Sequence, residues 1–371
     1  MSMTSYGIND PEAVKLWSRK LARESLAKAW VKKFTGKSDD SVIQIHQDMK
    51  KEAGDTLTHL LRMQLNGDGV LGDDTLEGNE EALTTFTDSF VINQLRHAVR
   101  SKGKMSEKRV PFKHRAEAMS GLRDWWAARY DRAFFIHMCG FTATDKVSER
   151  GEVYQSSDLR YTGGNAALAP DSSAHFRADT NGSTHTFTAT AADADITTTD
   201  TMRLEYIDEL KAVAETRAPI IRPINYEGEK LYVMIMDTLQ AKQLRTNTDT
   251  GQWQDIQKAA MQGGNVKKNP IFTGALGMYN NVVLHSSNRV CRGVAADNTS
   301  ISTVRRAVFL GAQAGAIGFG DDTSLEKMSW HEELFDYGNQ LGVEAGAVFG
   351  LKKSRFNSKD FGSLVFSTYA A

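Results

Sequence analysis

Apolar residues along the chain repeat at two different intervals, and the change from one to the other divides the sequence into elements. Over residues 11–34, Val14, Trp17, Leu21, Leu26, Trp30 and Phe34 recur every three to five positions, with one slip, which predicts an amphipathic helix. Asp10 suits its N-cap, Pro11 suits a first position whose N–H would be unused anyway, and Gly36 ends it. The clearest helix covers residues 113–139. There Ala116, Met119, Leu122, Trp126, Tyr130, Ala133, Phe134 and His137 share a face, and Gly140 stands where a C-terminal stop belongs. At about 1.5 Å per residue this is a rod about 40 Å long, a spine for a whole domain. Elsewhere the interval shortens towards two. Residues 57–65 read as a strand, Asn66-Gly67-Asp68-Gly69 as a turn, and residues 86–95 as the returning strand. Residues 231–236 predict a buried strand, with further strands at 282–285, 306–310, 345–352 and 361–367 and helices at 201–217, 237–245 and 253–262. Residues 163–200, rich in small and polar side chains, read as a loop with a surface hairpin around Thr186 and as a site tolerant of insertion. Helices and strands mix without regular alternation, which favours an α+β fold.

Charge adds a feature that hydropathy does not show. The 371 residues carry 45 Lys and Arg against 46 Asp and Glu, a net of -1, which marks neither a nucleic-acid specialist nor a membrane-surface protein. The local distribution is far from even. Residues 11–37 hold eight basic side chains against Glu12 and Glu24, a net of +6. Residues 66–88 hold seven acidic side chains and no basic one, a net of -7, and residues 94–115 hold eight basic ones against Glu107, a net of +7. An acidic loop thus stands next to a basic return. The two cysteines, Cys139 and Cys291, lack zinc-site spacing and are expected as small buried hydrophobes in a protein made in a reducing cytoplasm. No secretory signal and no apolar run of membrane-spanning length is present, so a soluble chain with no membrane partner is expected.

Motifs that carry chemistry fail one by one. His331-Glu332-Glu333-Leu334-Phe335 begins like a zinc-protease helix, but Phe335 stands where the second imidazole is needed. The loop from Asn66 has a calcium-loop flavour, yet Val70 and Leu71 occupy positions that require an oxygen ligand and a glycine. Gly311, Gly315, Gly318 and Gly320 match neither a dinucleotide fingerprint nor a P-loop and read as tight packing or turns. His137 and Cys139, two apart on a helix, face different ways and cannot act as a base and its nucleophile. No catalytic, cofactor or metal residue is assigned. Trp125 and Trp126 are adjacent on the spine, so one of them faces away from the main core and becomes a candidate inter-subunit contact. The basic arm is a solvated face or a non-specific contact to a nucleic-acid backbone.

The order of these elements resembles the Hong Kong-97 fold of tailed-bacteriophage major capsid (coat) proteins. Local strings are similar to a podovirus-associated branch of the coliphage N-four type. They are Gly72-Asp73-Asp74-Thr75-Leu76-Glu77-Gly78-Asn79-Glu80-Glu81, Gln94-Leu95-Arg96-His97-Ala98-Val99-Arg100, Asp124-Trp125-Trp126-Ala127, Gln252-Trp253-Gln254-Asp255-Ile256-Gln257-Lys258-Ala259-Ala260, Asn269-Pro270-Ile271-Phe272-Thr273-Gly274-Ala275-Leu276-Gly277 and Lys359-Asp360-Phe361-Gly362. The likeness spans nearly the whole chain and is weakest around 171–200 and 292–303. It implies an N-terminal arm at 1–54, an E-loop at 55–105, a P-domain with the spine helix at 106–165, an A-domain at 166–330 with a variable insertion near 171–200, and C-terminal strands at 331–371 returning to the sheet. It implies a subunit that assembles with itself into hexamers and pentamers of an icosahedral shell around packaged double-stranded DNA, formed in the host cytoplasm and present in the virion, with a portal at one vertex and a decoration protein as a further partner. Because the arm helix starts by Pro11, a separate scaffolding protein is expected. On this reading Asp68, Asp73, Asp74, Glu77, Glu80, Glu81, Arg96, Arg100, Lys102, Lys104, Trp125 and Trp126 are inter-subunit residues, and Lys15, Arg19, Lys20, Arg23, Lys32 and Lys33 face DNA. An encapsulin-type compartment shell or a soluble α+β enzyme without a recognisable motif are the alternatives.

Overall fold

In a computed structural model, the structure describes residues 20–21, 24, 29–46, 55–62, 67–81, 86–109, 113–181, 184–226, 228–247, 276–320 and 328–371. The largest sheet has nine strands among these residues. Seven follow one another in the order Gly277–Tyr279, Val282–Ser286, Glu229–Met236, Ser300–Leu310, Ser363–Tyr369, His175–Asn181 and Thr184–Thr188. Ile224–Tyr226 and Arg292–Val294 pair at its sides. Alternation sends Val233, Ile235, Val308 and Leu310 to one face and Tyr232, Met234, Met236, Ala307 and Phe309 to the other. The second face is covered by helices Glu205–Thr216 and Thr238–Thr246, whose Ile207, Leu210, Ala241 and Leu244 join that core. Burial on both faces is why residues 231–236 read as an unbroken apolar run.

A six-stranded sheet is organised by Gln340–Lys353, which is 14 residues long and pairs with three strands. Ser329–Phe335 and Gly315–Phe319 lie end to end along one side of it and Asn93–Arg100 along the other. Ile43–His46 then adds in parallel to Gly315–Phe319, with Thr35–Gly36 outside it. The spine helix, His114–Met138, packs on this sheet through Trp126 and Tyr130, whose rings sit 6.1 and 5.1 Å from that of Phe349. Its 25 residues make a rod of about 37 Å. The apolar face begins only at Ala118, because Ala116 is exposed, and from Tyr130 onward every side is buried. Arg306 closes the helix: its Nη1 donates to the carbonyls of Gly140 at 2.7 Å and Cys139 at 3.4 Å, groups a helix end leaves without partners. Cys139 and Cys291 are buried and free. None of the described helices is long and apolar enough to cross a membrane.

Two expectations need correction. The basic segment is not an arm outside the body throughout. Trp30–Phe34 is a 3-10 helix, not the end of an α-helix, and Trp30 packs against Phe135 at 5.7 Å and His285 at 5.6 Å. The strands at Thr35–Gly36 and Ile43–His46 belong to the six-stranded sheet. Trp30, Val31 and Phe34 require an apolar partner, and the core that contains the spine supplies it. Second, residues 163–200 are not only a surface loop: His175–Asn181 is an internal strand between Ser363–Tyr369 and Thr184–Thr188, and Asp193 is 1% exposed. Ser329–Phe335 is a strand in which Trp330 and Glu332 alternate inward, so the rejected zinc motif lies on a sheet. The helix expected at 253–262 lies outside the described residues, as do residues 11–19 of the first helix.

The glycine run proves to be a packing device. Gly315 and Gly318 are three apart on one strand and so face opposite ways. A Cβ on Gly315 would stand 2.5 Å from Met138 of the spine; one on Gly318 would stand 2.8 Å from Leu57 and 2.9 Å from Phe90. Gly318→Val is therefore expected to cost about 1–3 kcal/mol through overpacking. A denaturant melt checks it, and hydrogen exchange should show the loss concentrated in residues 56–61 and 86–91.

Candidate subunit-contact surfaces

The acidic loop leaves the body on a two-stranded antiparallel hairpin, Thr56–Leu61 against Phe86–Val91. Such a hairpin is marginal alone, and its base is clamped on several sides. Leu57, Phe90 and Ile92 form a small core with Ala316, which the glycine floor admits. Asp88 accepts from Lys352 Nζ at 2.7 Å and from the Arg355 amide at 3.0 Å. Asn165 bonds both the amide and the carbonyl of Val91, at 2.9 and 2.8 Å. Gln313 reaches the backbone of Leu60 and Arg62. His59, opposite Asp88 in register and 1% exposed, lies 3.2 Å from Ser354 Oγ. None of these anchors was legible in the sequence, because each joins positions more than 70 residues apart.

Beyond the base, the loop is bare. Residues 71–81 are all exposed, Leu71 at 88% and Leu76 at 59%. Its order is local: the Gly67 amide donates to Glu81 at 2.6 Å, Gly78 donates to Glu80 at 2.7 Å, and Asn79 donates to the Thr75 carbonyl at 2.9 Å. Gly69, Gly72 and Gly78 take left-handed φ values of 72°, 64° and 92°, which turn the chain where a side chain would strain it. Among the described residues, Asp68, Asp73, Asp74 and Glu77 make no ion pair.

On the basic return, Arg96 lies 3.6 Å from Glu344, and Arg100 donates to Gln340 at 2.8 Å while its guanidinium covers Phe335 at 4.1 Å. Lys102 and Lys104 are exposed, with no ion pair among the described residues. Among the described residues, Asp68, Asp73, Asp74 and Glu77 are thus not paired with the basic stretch of their own chain. Trp125 is half-buried, stacked on His97 at 4.4 Å with Arg129 4.8 Å above it. Trp126 is 0% exposed inside its own core and is withdrawn as an inter-subunit residue, because no surface of it is left to touch a neighbour. Of the basic arm, Lys20 and Lys32 are exposed, and Lys33 is half-buried with its ammonium 6.0 Å from the Trp30 ring. Lys15, Arg19 and Arg23 lie outside the described residues.

Buried charge elsewhere holds the body together. Asp193 receives Arg306, Arg177, His175 and the Val294 amide. Asp131 joins the arm to the spine, accepting from the Val31 amide at 3.0 Å and Arg289 at 2.8 Å. Arg150 forks onto Asp237 at 2.7 and 3.0 Å, at the N-terminus of Thr238–Thr246. Asp360 lies between Lys353 at 2.6 Å and Arg355 at 3.0 Å, and Gly362 sits where a Cβ would stand 2.7 Å from Ala312 and Ala314. The string Lys359-Asp360-Phe361-Gly362 is therefore structural. Among the described residues no three His, Cys, Asp or Glu side chains converge as a metal site.

These groups imply a pH response. Burial lowers the imidazoles of His59, His137 and His175 from 6.5 to about 4. Arg177 donates to His175 Nδ1 at 2.8 Å, which fits the neutral ring. The unfolded chain takes up protons that the folded one refuses, so stability present above pH 6.5 is lost as pH falls towards 4. Burial also raises Asp131 to about 6, outweighing Arg289 and the Val31 amide, and this single group works in the opposite sense. Thermal unfolding midpoints of the unassembled subunit are thus expected to drop between pH 6.5 and 4. A flat profile over that window would contradict the buried neutral imidazoles.

A well-packed α+β body that presents an exposed, charged flap fits a structural subunit made to assemble. Comparison with known proteins agrees. A family model described as phage capsid protein matches residues 5–371, and the chain belongs to that family. The major capsid protein of Pseudomonas phage KPP25 is 30% identical over 369 residues, covering 96% of this chain and 94% of the relative. The capsid of Ralstonia phage GP4 superposes with a TM-score of 0.79 at 32% identity, over 100% of this chain and 99% of that one. The cyanophage Pam1 capsid, at 20% identity and a TM-score of 0.66 over the full length of both chains, shares the fold. The chain is a phage major capsid protein, a structural component of the virion shell that assembles with itself and has no enzymatic role. The compartment-shell and enzyme alternatives find no support.

Proposed function

We propose that this capsid subunit works through the division its likeness to Hong Kong-97 coat proteins implies: arm at 1–54, E-loop at 55–105, P-domain at 106–165, A-domain at 166–330 and returning strands at 331–371. Hexamers and pentamers of it close an icosahedral shell, assembled in the host cytoplasm with a separate scaffolding protein and a portal, around double-stranded DNA. The observation that carries this reading is the acidic loop, clamped at its base and uncovered at its tip. Asp68, Asp73, Asp74, Glu77, Glu80 and Glu81 meet a neighbouring copy, whose Arg96, Arg100, Lys102 and Lys104 supply the opposite potential; Trp125 flanks that surface. Such complementarity fixes register and speeds encounter, while apolar contact supplies most of the affinity.

Lys15, Arg19, Lys20, Arg23, Lys32 and Lys33 contact the genome backbone without reading its sequence. Electron microscopy of the chain co-expressed with its scaffold tests the assembly: closed shells are expected, and a small discrete oligomer would overturn it. Replacing Lys15, Arg19, Lys20 and Arg23 with Gln tests the arm. Shells carrying the four changes should retain less DNA as salt is raised, and retention equal to the parent's would place the arm away from the genome.

A further inference from the structure

Two thiols meet in the main core, where the spine ends against the nine-stranded sheet. Cys139 is the C-cap of the spine helix, and Cys291 directly precedes the strand Arg292–Val294. Both are 0% exposed and belong to one apolar cluster. Arg306, on the strand Ser300–Leu310, holds both of them: its amide donates to the Cys291 carbonyl at 3.1 Å, and its carbonyl accepts from Cys139 Sγ at 3.3 Å. The two thiols lie within hydrogen-bonding reach of one another. Two guanidiniums stand near them, those of Arg132 and Arg306. Each also has a carboxylate partner, Glu152 for Arg132 and Asp193 for Arg306. Burial raises the Cys291 thiol, but the Cys139 thiol, Arg132 and Arg306 outweigh burial and hold it below the ordinary thiol value. At Cys139 burial dominates and pushes the thiol well up. One sulfur is thus primed as a nucleophile while its neighbour keeps its proton, an asymmetry that inert core cysteines do not need.

We propose that Cys139 and Cys291 are a latent redox pair, a dithiol while the subunit folds and a disulfide once a peroxide reaches it, and that the bond ties the end of the spine to the nine-stranded sheet. The Cys291 thiolate attacks one oxygen of hydrogen peroxide; the O–O bond breaks, and hydroxide leaves and is protonated to water. Cys139 then attacks the sulfur of the resulting sulfenic acid, and its proton departs with the hydroxyl as a second water. The two thiols lose two electrons, and one peroxide is reduced to two waters. A water-sized oxidant enters a closed core through local opening, where a bulky disulfide reagent does not. The bond closes a loop of about 150 residues, and a loop of that length removes much freedom from the unfolded chain. It also fixes the point at which Arg306 closes the spine helix. Both thiols belong to one chain, so the bond forms in a free subunit as well as in a shell.

Peroxide treatment of the reduced, folded, full-length subunit tests it. The chain is exposed to a small excess of hydrogen peroxide, quenched with catalase and denatured in N-ethylmaleimide. Neither cysteine is expected to take up maleimide, and peptide mapping should find residues 139 and 291 in one linked pair that dithiothreitol separates. The thermal midpoint should rise by about 5 °C and fall back with reductant. Cys139→Ala and Cys291→Ala should show no such rise. Maleimide uptake and mapping are read on the parent chain, so they decide the matter even where a variant folds poorly. Two maleimides on the treated parent, sulfinic or sulfonic acid in place of the bridge, or bonds only between different chains would overturn the redox pair. A midpoint rise of equal size in Cys139→Ala would overturn the tie between spine and sheet.

Discussion

Replacing Asp193 with alanine is expected to destabilise the subunit by about 3–5 kcal/mol, a large share of the stability of a typical domain. Asp193 is 1% exposed, and its Oδ2 accepts from Arg306 at 2.7 and 2.8 Å and from the Val294 amide at 3.0 Å. Its Oδ1 lies 3.2 Å from both Arg177 and His175. Burial pushes this carboxyl up, but Arg306, His175 and the Val294 amide outweigh burial and hold it below the usual carboxylate range. Removing the charge leaves the Arg306 guanidinium enclosed without its counter-ion, at the point where that group closes the spine helix. The damage therefore spreads from a loop to the longest helix. Urea or thermal melts of Asp193→Ala and Asp193→Asn against Asp195→Ala, an exposed neighbour, give the comparison. Near-equal midpoints for Asp193→Ala and Asp195→Ala would show that the network carries no net stability. The folded-state depression also fixes a sign: the contribution of Asp193 is present above its unfolded value of 3.8 and is lost as pH falls below it.

The second large effect is on assembly and not on folding. Asp73, Asp74 and Glu77 are exposed on a loop whose internal order depends on Gly67, Glu81, Gly78, Glu80, Asn79 and Thr75. Changing all three to Lys is expected to leave the stability of the subunit within about 0.5 kcal/mol of the parent per substitution, the usual range at surface positions. Shell formation should nevertheless be lost, because six units of charge reverse where a basic neighbour is expected and like-charge juxtaposition costs several kcal/mol. Circular dichroism and melts read the first quantity; sedimentation or microscopy with the scaffold present reads the second. Normal shells from a normally folded triple variant would make the loop electrostatically irrelevant.

How much of this was legible in the chain varied with the range of the interaction. The spine helix, predicted over 113–139, spans His114–Met138, because a sustained 3.6-residue period is a local signal. The hairpin, the strand of residues 231–236 and the helix after Asp237 are likewise local, the last marked by an N-cap whose side chain accepts from the Leu239 amide. Ser329–Phe335 was placed only coarsely, within the C-terminal strands expected at 331–371, although its own alternation is plain. The strand Gly315–Phe319 was missed because glycine removes the very side chains that mark a strand, and those glycines have meaning only once Met138, Leu57 and Phe90 press against them.

By itself the sequence determined the mixed α+β character, the length of the spine, the charged loop and the membership of a capsid family, all of which rest on short-range periodicity, composition or whole-chain likeness. Only the tertiary structure decided that Trp126 serves the core while Trp125 remains near the surface, that the segment around Trp30 belongs to the body, and that Asp193 is a keystone. Each of these depends on which distant side chains share a low-dielectric space, and burial is a property of that shared space and not of any stretch of chain.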